Sequence, residues 1–293
     1  MATAKKTTAK PAASESKEVA TRGKKDVATT KGGHNDKLPA TVADMSQFSG
    51  AGMENTDRES FAIPFLAVIQ KTSPQVDKDT DQYIKGVEAG DLLLTSSNEV
   101  FKDEDGVDVV FCGYRRVFLR WAPLDEGGGF KGEIPVEEVA VMRSKGKVIE
   151  EDGRLFADNG DIVADTRIHY VLVVREDGTF TPAVMSLKST QIKKSKMLMT
   201  QIQSYVAKDS NGKSFTPPSF GHVFHAETVA ESNDKGSWRG WKLTRTGFVE
   251  DSELFNAAIE FHKTVVNEGV KVNYEAEAAV AGSGRSGDDD SDI

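Results

Sequence analysis

The residues from Val107 to Trp121 alternate along the chain as a long β-strand requires, because successive side chains of an extended chain point to opposite sides. One side is mostly apolar and consists of Val107, Val109, Phe111, Gly113, Arg115, Val117, Leu119 and Trp121. The other side alternates aromatic and basic residues, namely Tyr114, Arg116, Phe118 and Arg120. The first side is predicted to face a core. The second is an uncommon composition for a strand face that meets only water.

Shorter segments with strand character surround this strand, and two segments have helical periodicity. Hairpins are predicted in RIHYVLVVREDGTFTPAVMSL and FGHVFHAETVAESNDKGSWRGWKLTRTGF, and short strands joined by glycine turns in EEVAVMRSKGKVIEEDGRLFADNGD. Helices are predicted from Thr190 to Val206 and in DSELFNAAIEFHKTVVNEG, with Asp251 or Ser252 as the N-cap. The fold class is therefore mainly β with one mid-chain and one C-terminal helix attached. Its sheet is predicted to be an OB-like small barrel or a curled antiparallel sheet.

The two ends of the chain have few large apolar side chains and differ in charge from the rest. Residues 1–37 contain nine Lys or Arg and four Asp or Glu, and residues 275–293 contain one Arg and six Asp or Glu. The formal net charge of the whole chain is −9. Segments that bury little apolar surface do not offset the entropy cost of ordering. We therefore predict a disordered basic arm at 1–57, an OB-like body at 58–274 and a disordered acidic tail at 275–293.

Several broad classes of protein are disfavoured by the sequence. It has no apolar run long enough to span a membrane, and its N-terminus lacks the apolar region of a secretory signal. Cys112 is the only cysteine, so no intrachain disulfide forms and a reducing compartment is expected. No P-loop, GxSxG or dinucleotide motif is present, and no nucleophile, base and orienting group come together. The chain is predicted not to be an enzyme and to need no cofactor.

Two patterns resemble metal sites only in part. The spacing of a calcium loop is met by Asp77, Asp79, Asp81 and Glu88, but Gln82 occupies the position where the sharp turn needs glycine. His222 and His225 are three residues apart in a predicted strand, so their side chains point to opposite faces. No metal site is predicted.

Three groups of residues suit the binding of single-stranded nucleic acid, which needs aromatic surfaces for bases and cations for phosphates. The first is the aromatic and basic side of the long strand. The second is Trp238, Arg239 and Trp241, and the third is the set Lys188, Lys193, Lys194 and Lys196. The aromatic side chains could equally belong to a core with the arginines reaching its edge, and the lysines could be a solvated helix face.

The acidic end, GDDDSDI, is the last candidate. Its residues Asp288, Asp289, Asp290, Asp292 and Ile293 could occupy a cationic groove of the protein or dock on basic pockets of partner proteins. The alternative is a tail that serves solubility alone. The apolar Ile293 favours the functional interpretation.

Three segments, ESFAIPFLAVIQKTSPQV, FTPPSFGHVF and ESNDKGSWRGW, resemble segments of tailed-bacteriophage proteins from replication and recombination gene clusters. The resemblance extends from about Glu59 to Thr264. Proteins of that group are regarded as single-stranded DNA-binding proteins. GDDDSDI also resembles the acidic tails of bacterial and phage single-stranded DNA-binding proteins, although those tails commonly end in an aromatic residue.

This resemblance implies sequence-independent binding of single-stranded DNA during phage replication or recombination, in the host cytoplasm. The implied partners are single-stranded DNA and, through the acidic tail, phage or host replication and recombination proteins. A homo-oligomer is compatible with this function, and no membrane is involved. The alternative is a structural or packaging protein of the phage virion or nucleoid.

Overall fold

The computed structural model describes residues 51–54, 63–123, 128–234, 236–268, 270 and 272–281. The strands are β1 (Leu66–Val68), β2 (Leu92–Leu94), β3 (Glu99–Phe101), β4 (Val107–Trp121), β5 (Phe130–Ile134), β6 (Val148–Glu151), β7 (Arg154–Ala157), β8 (Ile162–Val174), β9 (Phe180–Lys188), β10 (Ala207–Lys208), β11 (Ser214–Phe215), β12 (His222–Asn233) and β13 (Gly236–Phe248). The α-helices are α1 (Val136–Ser144), α2 (Ile192–Ser204), α3 (Ser252–Glu268) and α4 (Tyr274–Ala281). Short 3₁₀ turns lie at Pro74–Val76, Ser189–Gln191 and Ser219–Gly221.

The largest sheet is antiparallel, and the pair β4–β8 forms its centre. The strand order is β13-β12-β4-β8-β7-β6, while β5 pairs with β4 and β9 pairs with β8. The prediction of a mainly β fold with a mid-chain and a C-terminal helix is confirmed. Of the two predicted forms of the sheet, the structure has an open antiparallel sheet rather than a closed barrel. Along the outer edge of β8, β7 pairs up to Val163 and β9 pairs from Thr166 onward. Neither strand pairs with Ala164 and Asp165, so the sheet has a gap there.

The long strand β4 has the predicted bounds, but its alternation is interrupted at Cys112. Phe111 lies opposite Val171 and Gly113 lies opposite Tyr170, so one extra residue is inserted in β4. A bulge of this kind reverses the faces of all later side chains. The prediction of one continuous apolar side from Val107 to Trp121 is therefore wrong. Val107, Val109 and Phe111 lie on the same face as the aromatic and basic series, whereas Val117, Leu119 and Trp121 lie on the other face.

The two faces of the sheet have separate cores. On one face, α3 contributes Leu254, Ala258 and Phe261 to a cluster that includes Leu119 and Tyr170. On the other face, α2 contributes Leu198 and Ile202 to a cluster that includes Phe111. Each helix buries one apolar stripe against its own face of the sheet, which explains why both helices are amphipathic.

Both helices were predicted from the sequence and are confirmed. The backbone N–H of Leu254 donates to Asp251 Oδ1 at 2.7 Å, so Asp251 caps α3 as expected.

Two helices were not predicted. Helix α1 follows Pro135 in the segment expected to contain only short strands, and Glu137 and Glu138 in its first turn suit the positive end of a helix dipole. Helix α4 overlaps the start of the acidic tail predicted from residue 275, because Tyr274 and Val280 anchor it in the core. Within the described ranges, no helix has the length and apolar character needed to cross a membrane.

Candidate functional site

A cleft of about 770 Å³ opens where the sheet has its gap at Ala164 and Asp165. Beside β4 and β8 at the gap, the cleft is lined by segments far apart in sequence. They include the end of β1 and the following turn, the β6–β7 hairpin, the β9–α2 junction, the start of β13 and helix α4. Its basic side chains are Lys71, Arg116, Arg143, Arg154, Lys188 and Arg239, and its acidic side chains are Glu150, Asp165 and Glu277. The described lining is therefore more basic than acidic, although the chain carries a net charge of −9.

The aromatic and basic side of β4 is divided by the fold. Arg116 and Phe118 line the cleft, whereas Tyr114 and Arg120 do not. Phe118 is only 5 % exposed and packs with α1, and the Arg116 guanidinium lies 5.3 Å from its ring centre. Tyr114 is 42 % exposed, with its ring 5.2 Å from that of His169. Between these two, the side chain of Tyr114 is the one that reaches solvent.

Both arginines on this side already have carboxylate partners. Arg116 forms two hydrogen bonds to Asp165, at 3.1 and 2.7 Å, and these bonds raise the pKa of the guanidinium. Arg120 donates to Asp161 at 2.5 Å and to Asn159 at 3.0 Å. A phosphate at either arginine must share the guanidinium with its present partner or displace that partner.

The second predicted group comes together at one end of the cleft. Trp241 is 4 % exposed and belongs to the α2 core, whereas Trp238 is half-buried and lies between the cleft and a shallow neighbouring pocket. The Trp238 indole N–H donates to Glu231 Oε2 at 2.9 Å. Arg239 is paired with Asp103 at 2.8 Å. Trp238 is therefore the aromatic side chain of this group that a ligand can reach.

The four predicted lysines differ in their surroundings. Lys188 lies in the cleft, 3.5 Å from Glu277, and Lys194 is bound to Glu231 at 2.5 Å. Lys193 lines the shallow pocket beside Trp238, and Lys196 is exposed one helical turn further along α2. Lys193 and Lys196 form no ion pair with any described residue.

Glu231 organises the boundary between the cleft and the shallow pocket. Burial alone would raise its pKa, but hydrogen bonds from Lys194, Gln191 and Trp238 together hold the pKa below its usual value. The carboxylate therefore stays ionised at neutral pH and fixes the Trp238 ring in place.

Two contributors to the cleft were missed at the sequence level. Lys71 donates to Ser237 Oγ at 3.4 Å, and within the described part of the chain it has no acidic partner. The side chain of Gln70 accepts from the backbone N–H of Arg239 and donates to its carbonyl, both at 2.9 Å. These bonds join the turn after β1 to β13. No local sequence signal marks them, because they connect residues 169 positions apart.

The remaining reactive groups lie away from the cleft. In the described ranges, no group of three His, Cys, Asp or Glu side chains is placed to hold a metal ion. His222 accepts from Arg245, and His225 is paired with Asp108. Burial raises the pKa of the Cys112 thiol to about 12, so the thiol stays protonated.

The predicted partner-binding tail and the basic arm up to residue 50 lie outside the described residues. The tail residues concerned are Asp288, Asp289, Asp290, Asp292 and Ile293. Helix α4 leads toward the acidic segment, and its residues Glu277 and Val280 line the cleft.

A family model described as Pam3 phage gp34-like protein matches residues 30–271. No curated protein and no solved structure matches the chain.

Proposed function

The chain belongs to the Pam3 phage gp34-like protein family, and from this premise we propose that it is a phage protein that binds single-stranded DNA without sequence specificity. The observation that carries the proposal is the cleft, whose lining is basic in a chain of net negative charge. A concave surface of one sign concentrates ligands of the opposite sign and steers their approach. The protein is proposed to act in the host cytoplasm during replication or recombination, without catalytic activity of its own.

A single strand fits the proposed surface better than a duplex for a geometric reason. Trp238 offers a ring between two cavities, and an unpaired base can stack on it, whereas the base faces of a duplex are already stacked. Lys71 and Lys193 lie near this ring on different segments and have no acidic partner within the described ranges. Both can contact phosphates without first breaking an ion pair.

Binding of a mixed-sequence single strand is expected to quench tryptophan fluorescence, because Trp238 is the one tryptophan that is not buried. The affinity should fall by roughly twentyfold to a hundredfold between about 50 and 200 mM salt, as counterion release at three to five phosphate contacts predicts. The measurement is a fluorescence titration at several salt concentrations, beside a gel shift with labelled single strands.

Trp238→Phe is the matched variant for this titration, because phenylalanine keeps a stacking surface but removes the indole. The quench should disappear while the gel shift remains. No binding of single strands would contradict the proposed function. Equal binding of a duplex, together with the protein's presence in purified virions, would favour a packaging or structural role.

The acidic segment is proposed to compete with DNA for this cleft. From Ala281 to Asp288 the chain can extend by about 20 Å, since each extended residue spans about 3.3 Å, and Val280 already lines the cleft. The segment is also proposed to recruit phage or host replication or recombination proteins, and self-association of the chain is compatible with either role.

Removal of residues 288–293 is expected to tighten DNA binding on the order of threefold to tenfold, because four negative charges leave the vicinity of the cleft. The gain should shrink as salt rises, since exposed charges are screened. A chain with an uncharged Gly-Ser segment of equal length is the control, and it should bind as tightly as the truncated chain. Unchanged affinity in both variants would contradict competition by the acidic segment.

A further inference from the structure

One carboxylate oxygen in the cleft has no hydrogen-bond partner among the described residues. Glu277 of α4 is 9 % exposed and lines the cleft. Its Oε1 lies 3.5 Å from Lys188 Nζ, whereas its Oε2 is buried and accepts no hydrogen bond from a described residue. A buried acceptor without a donor costs free energy, so such an atom in a native structure calls for an explanation.

A second unpartnered polar atom lies on the same wall of the cleft. Within the described part of the chain the buried hydroxyl of Ser186 has no hydrogen-bond partner, and Ser186 also lines the cleft. Ser186 and Lys188 are two residues apart on β9, so their side chains share one side of the strand. Lys188 lies 6.0 Å from the centre of the Trp121 ring. An acceptor, a hydroxyl and an aromatic ring therefore line the part of the cleft around Lys188.

The charge of the cleft restricts which donor can satisfy Glu277. Six basic side chains line the cleft against three acidic ones, so a lysine or arginine of another protein would be repelled. The donor that fits is a neutral N–H group carried by a ligand that is itself anionic elsewhere. Nucleotides have this chemistry, since the amines of their bases are neutral while their phosphates are charged.

We propose that Ser186, Glu277 and Trp121 form a base subsite that prefers bases with an exocyclic amine. This inference rests on the proposed function and names the bases that the cleft favours. The amine of cytosine donates to Glu277 Oε2, while the Ser186 hydroxyl donates to the ring nitrogen beside that amine.

Thymine lacks the amine that this subsite requires. Its single N–H lies between two carbonyl oxygens, which face the Glu277 carboxylate and are repelled by it. A site with a buried polar group discriminates against a ligand that leaves the group unpaired. The preference is for one base position in a strand, so it adds to binding that is otherwise independent of sequence.

The test compares oligo-dC and oligo-dT of equal length at slightly alkaline pH, by gel shift with the full-length protein. We expect oligo-dC to bind about threefold to tenfold more tightly, which corresponds to one added hydrogen bond. Glu277→Gln should reduce this ratio to nearly one, because its amide can turn a donor toward the thymine carbonyl. Glu150→Gln, also in the cleft lining, should leave the ratio unchanged.

Each outcome separates the subsite from the proposed function. If neither oligonucleotide binds, the proposed function is wrong and the subsite with it. If both bind equally well to the unaltered protein, the subsite is wrong and the proposed function stands. A ratio that survives Glu277→Gln would also overturn the subsite, provided that circular dichroism shows the variant folded.

Discussion

Reversing the charge of Lys71, Lys193 and Lys196 together is expected to weaken single-strand binding by roughly a hundredfold or more at about 50 mM salt. These lysines have no acidic partner within the described ranges, so their substitution by glutamate breaks no ion pair and should leave the fold intact. Each phosphate contact on a single strand contributes about −0.7 to the slope of log affinity against log salt. The measurement is a fluorescence titration at several salt concentrations, and the slope should become shallower by about 2.

The matched control reverses three other exposed lysines, Lys85, Lys208 and Lys213, which line neither the cleft nor the shallow pocket and do not lie on α2. Both triple variants change the net charge of the chain by the same amount. The control should therefore lose only the long-range part of the attraction, which falls off within a Debye length of about 8–10 Å at physiological salt. An equal loss in both triple variants would show that bulk charge, rather than the cleft, governs binding.

The elements that were predicted correctly are those whose signal is local. The hairpin of β8 and β9, the hairpin of β12 and β13, and helices α2 and α3 each carry their own periodicity and turn residues. Helix α1 was missed because it is short and its apolar residues do not form one stripe, so the glycine turns after it were the stronger signal.

The bulge at Cys112 is the error with the largest structural consequence. Strict alternation places Phe111 and Val117 on one face, whereas the extra residue places them on opposite faces. The local signal for it is Gly113, since a glycine inside a strand often marks a bulge. A Cβ at Gly113 would come within 2.8 Å of Val265 Cγ1. Helix α3 therefore packs against β4 closely enough to require glycine there.

The sequence could predict residues of the candidate site, but it could not predict which acidic side chains pair with them. The sequence separated three aromatic and basic groups, and the fold brings members of all three, Arg116, Lys188 and Trp238, into one cleft. Their counter-charges come from distant positions, as Asp165 does for Arg116. Which cations remain unpaired is therefore decided by tertiary contacts, and no local pattern encodes it.

Acidification from pH 7 to pH 5 is expected to cost about 2 kcal/mol of stability through His169 alone, since one bound proton corresponds to about 1.4 kcal/mol per pH unit below the pKa of the unfolded chain. His169 is 1 % exposed, and its Nε2 lies 2.8 Å from Ser195 Oγ. Burial, and to a smaller extent the charge of Arg167, lowers the pKa of its imidazole to about 3. The unfolded chain thus binds a proton below its usual pKa of about 6.5, whereas the folded chain does not. Stability is complete above that value and falls as the pH approaches 3.

His169→Gln isolates this contribution from that of the carboxylates, because glutamine can keep the bond to Ser195 but does not titrate. The free energy of unfolding is measured by urea denaturation of both proteins at pH 7 and pH 5. At pH 7 the variant should be the less stable protein, since its side chain packs less well against the rings of Phe111 and Tyr114. At pH 5 the difference should shrink by about 2 kcal/mol, because only the unaltered protein loses the contribution of a neutral imidazole. A difference that stays constant between the two pH values would mean that His169 accepts its proton in the folded state.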